Sequence, residues 1–169
     1  MTVNIVKPVN KEALLDKVLR SFEAYYNIDR ETPTEPFDAE ASFGMHDEQY
    51  FLMKSARISQ SDSSEYVFFR LLDHLDTKTF RALDRKAWET TLFRADLSGS
   101  HRSTDAALVI IADTVDPEAA EELRKTDHFK SYCLGLKGWS TCRMTVYECQ
   151  TGKNCCNRRG RDLSKLFQA

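Results

Sequence analysis

The sequence has little glycine and proline, no long apolar run and no excess of positive charge. Six glycines and four prolines among 169 residues exclude a collagen-like or low-complexity chain. The longest apolar run, residues 106–112, is far shorter than the roughly 20 residues that cross a bilayer. The first seven residues contain one lysine and no apolar core, so no secretory signal is predicted. With 41% hydrophobic residues, we expect a folded, cytoplasmic protein without a membrane segment.

Length and charge predict one domain with little affinity for nucleic acid. A chain of this length fits a single globular domain over residues 1–169, with a short N-terminal extension at 1–9. The net charge of −2 argues against a dedicated nucleic-acid-binding protein, which is usually strongly basic. Residues 151–169, however, carry five basic side chains and one acidic side chain. This basic tail could attract an acidic partner or an acidic face of a second copy, or it is simply a solvated C-terminal turn.

Hydrophobic periodicity, capping residues and turn residues predict the order of the helices and strands. The predicted elements are a helix at 11–26, strands at 37–45, 50–58 and 65–72, a helix at 76–92, a strand at 106–112, a helix at 117–130, a strand at 140–149, a short return strand after the turn at 151–154, and a helical turn at 162–167. The three early strands, joined by polar loops, are typical of a meander. This order, α-β-β-β-α-β-α-β-β-α, predicts an α+β domain with one mixed, largely antiparallel sheet.

Continuous apolar sequence at 106–112 predicts a strand that is covered on both faces. Asp116, Pro117 and Glu118 after it are a strong helix start, because they supply a cap, a proline in the first turn and an acidic residue there. Since that helix connects the apolar strand to the strand at 140–149, we expect the two strands to lie parallel through a right-handed crossover.

The five cysteines lie in the last quarter of the chain and contain no C-x-x-C pair, so no zinc-ribbon or thioredoxin site is predicted. A two-residue loop at 152–153 would place Cys149 opposite Cys156, and a three-residue loop would place it opposite Cys155. Either register gives Cys149 a thiol neighbour, and the nearby Arg158, Arg159 and Lys153 would lower a thiolate pKa. A redox pair or a partial metal site is one hypothesis. The simpler hypothesis is that the cysteines are reduced and have no chemical role.

A second group of candidate residues flanks two predicted strands. Asp113 ends the apolar strand, where α/β sheets often place ligand groups, and with His101 it could form an acid–base or metal pair. Lys137, between two glycines, could hold an anion against Trp139. These four residues predict a small-ligand pocket whose ligand and cofactor are unknown. The alternatives are helix capping by Asp113 and Asp116, and a helix C-cap and tight turn at Lys137 with Trp139 in the core.

Three segments carry a resemblance to a known family. They are LVIIAD at 108–113, LGLKGW at 134–139 and NRRG at 157–160. In that order, after an N-terminal helix and a meander, the chain resembles a family of small uncharacterised bacterial proteins from about Lys11 to Phe167. The resemblance implies a bacterial cytoplasmic domain and carries over no activity or catalytic residue. The crowded cysteines of the last hairpin depart from the family's pattern.

The sequence contains no Gly-rich phosphate loop, nucleophile elbow or spaced metal motif. We therefore expect a non-enzymatic domain that binds another protein or self-associates, with a homodimer favoured because partners usually cover sheet edges. The order α-β-β-β-α-β is also similar to the core of restriction-endonuclease-like nucleases, which need an acid on the second strand and acid-x-Lys on the third. Here Leu52 stands two positions before Lys54, and residues 65–70 contain no acid-x-Lys. A degenerate nucleic-acid-binding relative is thus an alternative, beside a thiol, metal or small-ligand protein.

Overall fold

A mixed sheet with helices on both faces organises the chain in the computed structural model, which describes residues 7–44, 62–98 and 101–168. The helices are α1 (Lys11–Phe22), α2 (Thr77–Arg94) and α3 (Pro117–Lys125), and the strands are β1 (Asn27–Asp29), β2 (Ala39–Phe43), β3 (Asp62–Leu75), β4 (His101–Val115), β5 (Phe129–Ser131), β6 (Trp139–Glu148) and β7 (Lys153–Cys156). Short 3₁₀ turns occupy Cys133–Gly135 and Leu163–Phe167. The predicted α+β class and mixed sheet are confirmed.

The strands follow the order β1-β2-β3-β4-β6-β5, and β7 pairs with the same edge of β6 as β5 does. The long central strands β3, β4 and β6 run parallel, and the other four ladders are antiparallel. The predicted parallel pairing of the strands at Ala106 and Cys142 is confirmed, since these two residues are register partners.

Two cores lie on opposite faces of the sheet. Helix α1 packs on one face, beside Phe69 and Val109, whereas α2 and α3 pack on the other, beside Phe68 and Leu108. Because neighbouring residues of a strand point to opposite faces, both faces of β4 need apolar side chains. Residues 106–112 are accordingly buried throughout, as the continuous apolar run predicts.

Local capping explains where the helices begin. The Asn10 side chain accepts hydrogen bonds from the backbone N–H groups of Glu12 and Ala13, both at 3.0 Å, and Asp76 accepts from Thr79 at 2.7 Å. Each bond satisfies a donor that the first helical turn leaves open.

Among the described residues, no helix combines the length and apolar character needed to traverse a bilayer.

The predicted meander is wrong. Strand β2 pairs directly with β3 in antiparallel register, with Ala39 opposite Phe69 and Phe43 opposite Glu65, whereas a meander would have paired each of them with the strand predicted at 50–58. Residues 50–58 themselves are outside the described part of the chain. Helices α1 and α3 are also shorter than expected, because Tyr25 and Tyr26 form a turn after α1, and residues 129 and 130, predicted in the third helix, pair with β6 instead.

A buried amide attaches the C-terminal segment to β6. Asn157 is 1% exposed, and its Oδ1 accepts from the backbone N–H groups of Met144 at 2.9 Å and Gly160 at 2.8 Å. Its Nδ2 donates to the carbonyls of Cys142 at 3.0 Å and Thr126 at 3.1 Å. The amide therefore uses all four of its hydrogen-bonding positions. We call these four hydrogen bonds the Asn157 clamp, and they hold the segment at 157–160 against β6.

Candidate functional site

The structure brings together three of the four predicted ligand residues and separates the fourth. His101 begins β4, and its Nδ1 lies 2.6 Å from the carbonyl oxygen of Lys137; Trp139 begins β6 and pairs with Ser103. Asp113 lies twelve positions beyond His101 on the same strand, which corresponds to about 40 Å at the usual rise of a strand. The predicted pocket between these residues is therefore wrong, because its acid and its histidine lie at opposite ends of β4.

Asp113 forms an ion pair instead of a helix cap. Its Oδ2 lies 2.7 Å from Nζ of Lys11, which also binds Asp73. The hydrogen bonds to Asp113 and then Asp73 raise the pKa of Lys11. The N-cap of α3 is Asp116, which makes no side-chain capping bond and lies 3.0 Å from Nε2 of His74. The capping alternative is thus also wrong for Asp113, and the carboxylate joins α1 to the sheet.

The segment after β5 forms a tight turn in left-handed backbone conformation. Cys133 and Leu134 have φ angles of 48° and 55°, and Gly135 and Gly138 have 88° and 84°. The N–H of Tyr132 donates to the carbonyl of Gly138 at 2.9 Å, and that of Lys137 donates to the carbonyl of Tyr132 at 3.1 Å. The backbone turn expected at the glycines is confirmed, but Gly135 does not cap a helix from the preceding segment, since α3 ends at Lys125.

This turn and the strands beside it expose four large apolar side chains, which we call the turn surface: Phe129, Leu134, Leu136 and Trp139. Leu134 is 99% exposed and Leu136 is 87% exposed. Trp139 is also exposed, so its predicted place in the core is wrong.

Cations of the same chain lie beside the aromatic rings of this region. The contacts are Arg159 with Phe129 at 5.7 Å, Arg102 with Trp139 at 5.9 Å and Lys130 with Tyr132 at 5.5 Å, each to the ring centroid. At these distances a cation is attracted to the face of a ring. Two of these cations, Arg159 and Arg102, therefore lie beside aromatic rings of the turn surface.

The predicted thiol pair does not form. Glu148 pairs with Lys153, so the hairpin loop has four residues, and Cys149 lies inside it instead of opposite a strand cysteine. Cys149 belongs to the core on the α1 face, whereas the Cys155 thiol donates to the carbonyl of Ala120 on the α3 face at 3.4 Å. All five cysteines are free. Both predicted registers are wrong because the backbone N–H of Cys149 continues the ladder with β4, donating to Ala112 at 2.8 Å.

The environment of these thiols opposes redox or metal chemistry. Burial raises the pKa of Cys149 and of Cys155, which disfavours the reactive thiolate. The arginines expected to lower these pKa values, Arg158 and Arg159, bind Asp127 instead. Within residues 7–44, 62–98 and 101–168, no group of three or more His, Cys, Asp or Glu side chains is placed to hold a metal ion.

Alkylation of the native protein with iodoacetamide is expected to distinguish the cysteines. Cys133 is exposed and should react at least about tenfold faster than the buried Cys142 and Cys149, which need local opening of the core. Peptide mass spectrometry over time measures the three rates. The unfolded protein is the control, and there the rates should converge. A disulfide between Cys149 and Cys155 or Cys156 would contradict the structure.

A polar pocket on the α1 face was not predicted from the sequence. It has a volume of about 510 Å³. Its walls come from the turn after α1 and from β2, β3, β4 and β6, through Tyr25, Tyr26, Phe43, Ser63, Ser64, Glu65, Ser103, Asp105, Thr141 and Arg143.

Two carboxylates form the centre of this pocket. Glu65 and Asp105 are register partners on the parallel strands β3 and β4. Glu65 accepts hydrogen bonds from the Tyr26 hydroxyl and from Arg143, and Arg143 also binds Asp162. Burial, and then the Glu65 carboxylate, raise the pKa of Tyr26, so the phenol stays protonated and donates a hydrogen bond to Glu65.

Asp105 is held differently from Glu65. Its Oδ1 accepts from the backbone N–H of Thr141 at 2.9 Å and from the Thr141 hydroxyl at 2.8 Å. Sequence spacing does not relate Asp105 to Glu65, because forty residues separate them and only the register of two long strands places them side by side. The sequence contained one sign of this pair: Glu65 and Asp105 each stand directly before the apolar residues of their strands.

Fold and sites together define an α+β domain with helices on both faces of a mixed sheet, a polar pocket on one face and an apolar turn surface near one edge. The chain belongs to the family described as "Domain of unknown function (DUF8052)", which matches residues 10–169. The predicted resemblance to a family without an assigned activity is confirmed. Comparisons with curated proteins and with solved structures found no match.

Proposed function

We propose that this protein is a non-enzymatic protein-binding domain that associates with a second copy of itself through the turn surface. The exposure of Leu134 and Leu136 carries the proposal. Large apolar side chains so fully in water contribute nothing to the stability of the monomer, whereas burying them against a partner is favourable.

The backbone beneath these leucines supports the proposal. A residue other than glycine in left-handed conformation costs roughly 1–2 kcal/mol, and both Cys133 and Leu134 adopt it. Such strain persists only where the surrounding structure enforces it, and it is frequent at binding sites. Here main-chain hydrogen bonds close the turn, and Gly138 packs directly on the backbone of Arg102.

A second copy fits this surface because a twofold contact uses the same residues of both protomers. It would therefore bury Leu134 and Leu136 from each protomer, four leucines in all. Each buried leucine contributes about 1.5–3 kcal/mol to association, so four leucines at one contact make dimerisation more favourable. Pairing through sheet edges has less support than expected from the sequence, because the edge strands β1 and β5 have three residues each and short edges resist pairing.

Sedimentation velocity tests the proposal over protein concentrations from about 1 to 200 µM. We expect the wild-type protein to form dimers as the concentration rises, and the double variant Leu134→Asn/Leu136→Ser to stay monomeric. Asparagine is chosen at position 134 because it tolerates positive φ. The matched control is Phe93→Ser, since Phe93 is 89% exposed but lies on α2, outside the turn surface. A wild-type monomer at every concentration, or an equal loss in the control, would refute the proposal.

Salt dependence distinguishes a second copy from an acidic partner. A twofold contact through apolar side chains buries carbon surface and not ion pairs, so raising the salt concentration should leave the dimer unchanged or slightly stronger. A complex with an acidic protein would instead weaken as salt increases. Sedimentation at low and high sodium chloride measures the sign of this effect, and a dimer that weakens steeply with salt would contradict an apolar twofold contact.

The alternatives from the sequence have less support. In the basic tail, Arg158 and Arg159 are already paired with Asp127, which reduces the charge available for phosphate groups of nucleic acid. The bacterial and cytoplasmic origin implied by the resemblance stays a prediction.

A further inference from the structure

We propose that the polar pocket on the α1 face binds a small organic primary ammonium ion, with Asp105 as the carboxylate that receives it. The pocket is independent of the turn surface, and its volume of about 510 Å³ lies in the range of ordinary small-molecule sites.

The charges around the pocket select a cation. Two carboxylates of the lining, Glu65 and Asp105, stand against its one guanidinium, that of Arg143, which is engaged by Glu65 and, outside the lining, by Asp162. An anionic ligand would find Arg143 already neutralised and would face an excess of negative charge. A cation reduces that excess, and the low polarity of a partly buried site strengthens the attraction.

Asp105 is better placed than Glu65 to bind the ammonium group. Glu65 uses one oxygen for Tyr26 and the other for Arg143. Both bonds to Asp105 engage Oδ1, and within the described residues no donor is bonded to Oδ2. A charge-assisted hydrogen bond to this oxygen is stronger than a neutral one.

Hydroxyl groups supply further acceptors. Ser103 lines the pocket, and the described part of the chain contains no hydrogen bond to its side chain, so its hydroxyl can accept a hydrogen bond from a bound N–H donor. A primary ammonium has three donors and no acceptor, which matches the three oxygen-bearing side chains of Asp105, Ser103 and Thr141.

Aromatic walls complete the match to an organic cation. Tyr25, Tyr26 and Phe43 line the side of the pocket next to the end of α1. Their rings provide apolar contact for the carbon chain of an amine and an electronegative face for its charge. An inorganic cation would gain little from three aromatic rings, so an alkyl ammonium ion is the ligand class that the lining fits.

Isothermal titration calorimetry with putrescine tests this site, and butanediol is the uncharged control ligand. Asp105→Asn removes the charge and keeps an oxygen for the two Thr141 bonds, so the fold should be retained. We expect the variant to bind putrescine at least about tenfold more weakly than the wild type, as loss of a charged hydrogen bond predicts. The matched control is Asp113→Asn, an acid on the same strand and face at the opposite end, which should leave binding unchanged.

Three outcomes would overturn the proposal. They are no binding of putrescine by the wild-type protein up to about 10 mM, equal binding of butanediol, and equal binding by the Asp105→Asn variant. Tyr25→Ala, at an exposed position, should weaken putrescine binding a few-fold through the lost ring contact. The turn-surface double variant should bind putrescine normally, so the failure of one proposal does not affect the other.

Discussion

Replacing Asn157 with alanine is expected to lower the free energy of unfolding by about 3–5 kcal/mol, because several buried polar groups lose their partner at once. The N–H groups of Met144 and Gly160 lose an acceptor, and the carbonyls of Cys142 and Thr126 lose a donor. A buried N–H or carbonyl left without a partner costs more than its hydrogen bond had contributed. The loss should therefore be among the largest for a single substitution in this domain.

Urea unfolding followed by circular dichroism measures this loss, and Asn154→Ala is the matched control. Asn154 is only half-buried and forms two side-chain bonds, to Thr145 at 2.7 Å and to Ser164 at 3.1 Å. Its replacement should cost about 1 kcal/mol. Equal losses in the two variants would show that the Asn157 clamp does not hold the C-terminal segment as described.

Replacing Gly138 with alanine is expected to cost about 3 kcal/mol or more, through strain and overpacking together. An added Cβ would lie 2.1 Å from the carbonyl oxygen of Arg102 and 2.6 Å from its carbonyl carbon. These are backbone atoms of β4, so they can move away only if the strand shifts. The φ angle of 84° adds the ordinary penalty of a left-handed residue.

Gly135→Ala is the control for this substitution, because the two glycines share the backbone conformation but not the surroundings. Gly135 has a φ angle of 88°, and an added Cβ would meet no atom within 4 Å. It should therefore lose only about 1 kcal/mol. Thermal and urea unfolding of both variants give the comparison. If the two substitutions cost the same, contact with Arg102 is not what requires glycine at position 138.

The sequence was most informative where neighbouring residues decide the structure. The first two helices begin within one residue of the predicted positions, after the caps Asn10 and Asp76, because a cap needs only a short side chain and the N–H groups two or three positions later. The run at 106–112 predicted a strand buried on both faces, since each residue of such a strand must be apolar whichever way it points. These signals lie within a few residues and do not depend on the rest of the chain.

Prediction failed where distant segments compete for the same strand. The direct pairing of β2 with β3 depends on the apolar residues of both strands and of α1, none of which is marked by a local motif. The last hairpin shows the same effect, because Cys149 pairs with β4 instead of β7. When the pairing of two strands shifts by one or two residues, every residue gains a new partner, and a shift of one residue also turns its side chain to the other face of the sheet. The observed register of the last hairpin differs in this way from both predicted registers, and it separates Cys149 from Cys155 and Cys156.

The sequence by itself determined the class of fold, the order of most elements, the apolar centre of the sheet and the family to which the chain belongs. Only the tertiary structure decided which polar side chains meet. It placed Glu65 beside Asp105, moved Asp113 far from His101 and exposed the leucines of the turn surface. The physical reason is that backbone preferences and capping act over a few residues, whereas a site forms from strand register and packing, which are settled by the whole core.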